Sequence, residues 1–141
     1  MYLDSAYIAK YYVNEPDAPA VRKLIRRAAS VCSCSLALAE VTWVFHRHAR
    51  EGALTLAQCR ELIDLFSGHV EDGVWNLIPM TGGLLRRVAM LVRGLPQSIA
   101  LRAGDAIHIA AALEAGEAEI WTNDRHLLTA AGHFGLAGRS V

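Results

Sequence analysis

The sequence predicts an α/β fold with a short, mainly parallel sheet covered by helices on both faces. Three observations carry that prediction. Short β-prone stretches alternate with helical patterns along the chain, as crossover connections between parallel strands require. The segment Leu101–Leu113 is apolar almost all round, the mark of a helix buried in the middle of a domain. Finally, 141 residues at 53% hydrophobic and 20% charged are enough for a packed core and too apolar for disorder. One domain spanning residues 1–141 is expected.

Taken in order, Met1–Leu3 reads as a very short strand running straight into a helix, with Asp4 and Ser5 at the junction. Asn14-Glu15-Pro16 ends that helix, because proline disfavours helical geometry in the residue before it. From Asp17 to Ala29, Val21, Leu24, Ile25 and Ala28 recur at helical spacing, while Arg22, Lys23, Arg26 and Arg27 form a basic face. That face is either solvated or a local nucleic-acid contact. Ser30–Cys34 is β-prone, and Ser35 opens a long helix that runs to about Glu51 and closes at Gly52. Thr55 to about Gly68 is amphipathic, with Leu56, Cys59, Leu62, Ile63 and Phe66 inward. Glu71-Asp72-Gly73 turns the chain into a strand over Trp75–Met80, and Thr81 or Gly82 starts a helix running to about Arg93. Gly94–Ile99 is a loop. Gly104 breaks the following segment, so the buried helix is expected to begin at Asp105. Beyond Gly116, Glu119–Thr122 is a strand, Asn123-Asp124 turns into a helix from Arg125 to about His133, and Gly135–Val141 supplies a last edge strand.

Bulk properties narrow the function. Basic and acidic residues balance at 14 each, so no global field attracts nucleic acid and any such contact must be local. Cys32, Cys34 and Cys59 form neither a CxxC pair nor a zinc spacing, which suggests free thiols in a reducing compartment. Asp4 falls where a signal peptide would need an apolar run, and no stretch is long enough to span a membrane, so a cytoplasmic protein is expected.

Four acids stand out against this background. Asp4 and Asp124 each follow a strand, Asp105 opens the buried helix, and Glu40 falls inside the apolar stripe Leu36, Ala37, Val41, Val44 and Phe45. Each has a purely structural reading. The three aspartates suit helix N-caps, and Glu40 suits an internal salt bridge to an arginine such as Arg102. Gathered on one rim of a parallel sheet, however, they would crowd negative charge that needs compensation, and oxygen-only donors select Mg²⁺ or Mn²⁺. Such a site activates water and neutralises a phosphodiester. Arg102 and Arg125 are either phosphate contacts or solvated partners of the acids, and His108 fits a packed, hydrogen-bonded histidine better than a catalytic one. A receiver-like phosphorelay domain is a poor fit: Trp75–Met80 offers no phosphoacceptor aspartate, and the only lysines are Lys10 and Lys23.

Leu3-Asp4-Ser5, Glu40 in its helix, Leu101-Arg102-Ala103-Gly104-Asp105-Ala106-Ile107-His108 and Thr122-Asn123-Asp124 together resemble the PIN-domain family, and within it the VapC toxins of toxin–antitoxin pairs. The resemblance covers essentially the whole chain, and its most specific part is the segment around Asp105. It implies a three-layer α/β/α sandwich and a metal-dependent, single-strand-directed endoribonuclease using Mg²⁺ or Mn²⁺. It also implies a homodimer held in check by a cognate VapB-like antitoxin. Carried over by position, Asp4 and Asp105 are the principal metal ligands, Glu40 and Asp124 complete the acidic pocket, and Ser5 and Thr122 orient those carboxylates. Ala6 departs from the pattern where a second hydroxyl is frequent. The alternative is a catalytically inactive PIN-like module that only binds a partner protein, against which the retained acids argue.

Overall fold

The computed structural model describes residues 1–141. Its sheet is built from β1 (Tyr2–Leu3), β2 (Cys32–Cys34), β3 (Asn76–Ile78), β4 (Glu119–Trp121) and β5 (Ala137–Arg139), in the order β3-β2-β1-β4-β5. Every pairing is parallel, so the sheet is wholly rather than mainly so, and the strand over Gly135–Val141 does lie at an edge. Strands this short still bury a core because alternate residues point to opposite faces. Tyr2 enters one hydrophobic cluster and Leu3 the other.

Each face is covered by helices. The Leu3 side carries α1 (Ser5–Tyr12), α2 (Ala18–Arg27), α3 (Ala37–Arg50) and α4 (Leu56–Glu71), around Tyr7, Phe45, Phe66 and Trp75. The Tyr2 side carries α5 (Gly82–Arg93), α6 (Ala103–Glu114) and α7 (Arg125–His133), around Leu84, Ile109, Ile120 and Leu127. The architecture is a three-layer α/β/α sandwich. Proximity follows residue size: Ala110, Ala111 and Ala112 of α6 are fully buried, and their small side chains let the helix lie close to the sheet and to α5.

Some boundaries differ from the sequence reading, for physical reasons. The buried helix starts at Ala103, so Gly104 lies inside its first turn instead of breaking the chain, and Asp105 is not its N-cap. A Cβ at position 104 would stand 3.1 Å from Glu40 Oε1; glycine is there to let α6 approach that carboxylate. The α3 helix begins at Ala37 rather than Ser35, whose hydroxyl instead accepts from the Met80 amide at 2.9 Å. In α4 the Thr55–Gln58 capping box fixes the start, and Leu56, placed at the first position, is exposed rather than inward. Part of the basic face is structural: Arg22 donates to the carbonyls of Tyr11 and Val13 and to Asn14, tying α2 to the end of α1.

Close packing around α6 sets an expectation. Ala110→Leu forces added volume into a filled layer and should lower stability by about 1–3 kcal/mol. Urea unfolding of the two proteins measures it; an unchanged midpoint would mean that α6 has room the packing denies.

Candidate active site

Parallel strands deliver their carboxyl ends to one rim, and that rim gathers the acids. Asp4 follows β1, Glu40 lies in the first turn of the helix after β2, and Asp124 follows β4. Asp105 joins them from the first turn of α6. All four line a single cavity of about 470 Å³, together with Ser5, His108, Arg47 and Arg102.

Asp4 is the most enclosed. The register Leu3↔Trp121 sets Thr122 beside it, and the Thr122 hydroxyl donates to Asp4 Oδ2 at 2.5 Å. Its other oxygen caps α1 by accepting from the Tyr7 amide at 2.8 Å, so the N-cap reading of this residue is correct as far as it goes. Burial pushes the Asp4 carboxyl above the usual carboxylate range, against the opposing pull of those two hydrogen bonds. Thr122 is doubly used, since its oxygen also accepts from the Asp124 amide at 3.0 Å.

Glu40 is held by a chain of hydrogen bonds from three elements. Ser5 donates to its Oε2 at 2.6 Å, and His108 Nε2 lies 3.0 Å from the same atom. A carboxylate only accepts, so Nε2 carries the proton. Burial drives the Tyr2 hydroxyl strongly toward its protonated form, and it is hydrogen-bonded to His108 Nδ1 at 2.9 Å. The two bonds fix the orientation of the ring. The packed reading of His108, which is 3% exposed, is correct, and its partner is Glu40. The salt bridge expected between Glu40 and Arg102 does not form. Nor is Glu40 turned fully inward; it stands half-exposed on the cavity wall. Burial raises its carboxyl, but the bonds from His108 and Ser5 outweigh that and hold it below the usual range.

Arg102 spans the other two acids. Its Nε donates to Asp105 at 2.9 Å and a terminal nitrogen donates to Asp124, while the side chain remains 70% exposed. Asp124 also caps α7 through the amides of His126 and Leu127. Burial raises its carboxyl, yet those amides and Arg102 bring it below the usual range. As arranged, no three acidic, histidine or cysteine groups converge closely enough to hold a metal ion; protein donors occupy the carboxylates instead. The donor chemistry still suits a hard cation, being all carboxylate oxygen.

The sequence reading missed two lining residues. Trp43 and Arg47 follow Glu40 at helical spacing along α3, and that spacing was the available signal. Arg125, expected near the pocket, is exposed and lies off its lining. The three cysteines are free and buried. No helix is long and apolar enough to cross a membrane.

Residues 1–132 match the family model described as PIN domain. Among solved structures, the chain is similar to VapC20 of Mycobacterium tuberculosis, a toxin that cleaves the sarcin–ricin loop. The TM-score is 0.68 at 12% identity, over 92% of this chain and 93% of that one. It is also similar to FitAB bound to an IR36 DNA fragment, with a TM-score of 0.59 at 16% identity, over 99% of this chain and 93% of that one. At these identities the likeness concerns the fold. No curated protein matches the sequence significantly.

Burial of Asp4 makes its ionisation unfavourable, which gives a test by pH. A carboxyl raised in the folded state weakens folding above its folded pKa, and the penalty fades as pH falls toward the unfolded value of about 3.9. Asp4→Asn should therefore be more stable than the parent at pH 7, with about 1.4 kcal/mol for each pKa unit of elevation, and the gap should close below about pH 4. Denaturation midpoints across that range check it; a less stable variant at pH 7 refutes it.

Proposed function

From its membership of the PIN domain family, to which this chain belongs over residues 1–132, we propose that it is a metal-dependent endoribonuclease of the VapC toxin type. The observation that carries the proposal is the convergence of Asp4, Glu40, Asp105 and Asp124, from four separate elements, on one cavity. In this reading the four carboxylates hold Mg²⁺ or Mn²⁺, with Asp4 and Asp105 the principal ligands. A divalent cation in that position supplies activation of water and neutralisation of charge on a phosphodiester.

The chain's own residues set the conditions. Thr122 and Ser5 orient Asp4 and Glu40 through their hydroxyls. His108, braced by Tyr2, holds Glu40 toward the cavity, and Glu40 or Asp124 positions or accepts a proton from the attacking water. Arg102 neutralises Asp105 and Asp124, and on an exposed side chain it is free to swing to a substrate phosphate. The substrate is RNA. The likeness to VapC20, a toxin, supports a toxin setting. The proposal adds to it a VapB-like antitoxin, a homodimer and a cytoplasmic location, for one domain spanning residues 1–141.

The Arg102 bridge favours one second reading, a PIN-like module that binds a partner without cutting. An arginine already neutralising two acids does in part what a cation would. The readings separate on metal. In the nuclease reading Mn²⁺ raises the melting temperature, and Arg102→Ala, which removes the competing cation, strengthens that rise. A module without a metal site shows no rise in either protein.

Activity is tested with purified protein and defined RNAs, with and without Mg²⁺ or Mn²⁺. Cutting should require the metal, and Asp105→Asn should slow it by about 100-fold or more. Equal cutting by both proteins overturns the role given to Asp105.

A further inference from the structure

The cavity carries two opposed characters. Its lining includes four carboxylates, and also Trp43, Val44, Ala6 and Arg47. Trp43 is 55% exposed, an unusual position for an indole, and it stands one helical turn from Glu40 on α3. Its ring is steadied by His46 on the same helix, with centroids 5.7 Å apart and planes inclined by 32°. Arg47, the next turn along, is also exposed and engages Glu15 at 3.4 Å, a surface pair weak enough to yield.

Electrostatics gives Trp43 and Arg47 their significance. Four carboxylates against two guanidiniums leave the cavity acidic, and the chain as a whole has no net charge to draw in a polyanion. The cation of the nuclease reading offsets that charge at one phosphate only, so a strand of RNA gains from a contact that does not depend on charge. Stacking on an aromatic ring supplies it, because every base has a π-face.

We propose that Trp43 is a stacking platform for an unpaired nucleobase next to the phosphate that meets the cation the carboxylates would hold, with Arg47 meeting the following phosphate. The proposal rests on the nuclease reading above and adds to it a residue that holds a base beside the cut. A base paired within a duplex has its faces covered by its neighbours and cannot lie on the indole.

Trp43 also makes the test direct, since Trp75 is buried and donates to Tyr12, and Trp121 donates to Glu119. Short single-stranded RNA is mixed with the full-length protein in Mg²⁺, and tryptophan emission is followed by stopped flow before cleavage proceeds. A saturable quench is expected, absent from Trp43→Leu and much weaker when the same RNA is presented as a duplex. In steady-state cleavage Trp43→Leu should raise KM by about tenfold or more with kcat within about threefold, and Trp43→Phe should restore most of the loss. Cleavage by Trp43→Leu at the parent KM, or no quench in a parent protein that cuts RNA, overturns the platform and leaves the nuclease standing. A saturable quench in a protein that cuts no RNA does the reverse. Absence of both sinks the two together.

Discussion

Holding carboxylates on one cavity wall costs free energy through lost hydration, and the whole rim is arranged to offset that cost. Three partner sets do so, each from a different physical source. Asp4 relies on the Thr122 hydroxyl and a helix amide, Glu40 on Ser5 and a histidine braced by a buried tyrosine, and Asp105 and Asp124 on one guanidinium. The donors come from β1, α1, α6, α7 and the segments that join them. Displacing any of these elements leaves an acid uncompensated, so the sheet order and the acid rim are one constraint seen at two scales.

The parallel topology makes the rim possible at small size. With β1 in the middle of the sheet, its carboxyl end lies between those of β2 and β4, so Asp4, the start of α3 and Thr122 are neighbours without long loops. The buried helix α6 then has to reach the same place from the far side of the sheet. Its alanines allow close packing, and Gly104 removes the one side chain that would collide with Glu40. Core packing and site geometry therefore meet in a single helix.

Most of this was legible from residue order. Apolar periodicity located α2, α3 and α4 and an unbroken apolar run located α6, since both report burial, which the fold then satisfies. The acids were legible because a carboxylate among apolar neighbours, or at a strand end, is chemically conspicuous. Their partners were not. The structural alternative for Glu40 was an arginine such as Arg102, because a charge suggests an opposite charge, whereas the structure supplies a histidine 68 positions away. Pairing at that separation is a property of how the N-terminal ends of α3 and α6 meet at the rim from opposite faces of the sheet. The start of α6 was misread for a related reason: Gly104 was taken as a helix breaker, when tertiary proximity to Glu40 overrides its local preference. Trp43 and Arg47 were overlooked because attention to acids hid an aromatic and a cation on the same helical face.

The three partner sets also divide the acids by protonation. Asp4 is pushed up by burial, while Glu40 and Asp124 are brought down by the donors they accept from. Their contributions to stability have opposite signs. Those of Glu40 and Asp124 are present above the unfolded carboxylate values of about 4 and fade as pH falls through them, whereas the burden of Asp4 appears only as pH rises above that point. The opposed terms moderate the pH dependence of the fold. They also separate roles. Glu40 and Asp124 are ready anions at neutral pH, able to accept a proton or a hydrogen bond without outside help. Asp4 is the carboxylate whose ionisation the protein supports least, and so the one for which an incoming cation has most to offer.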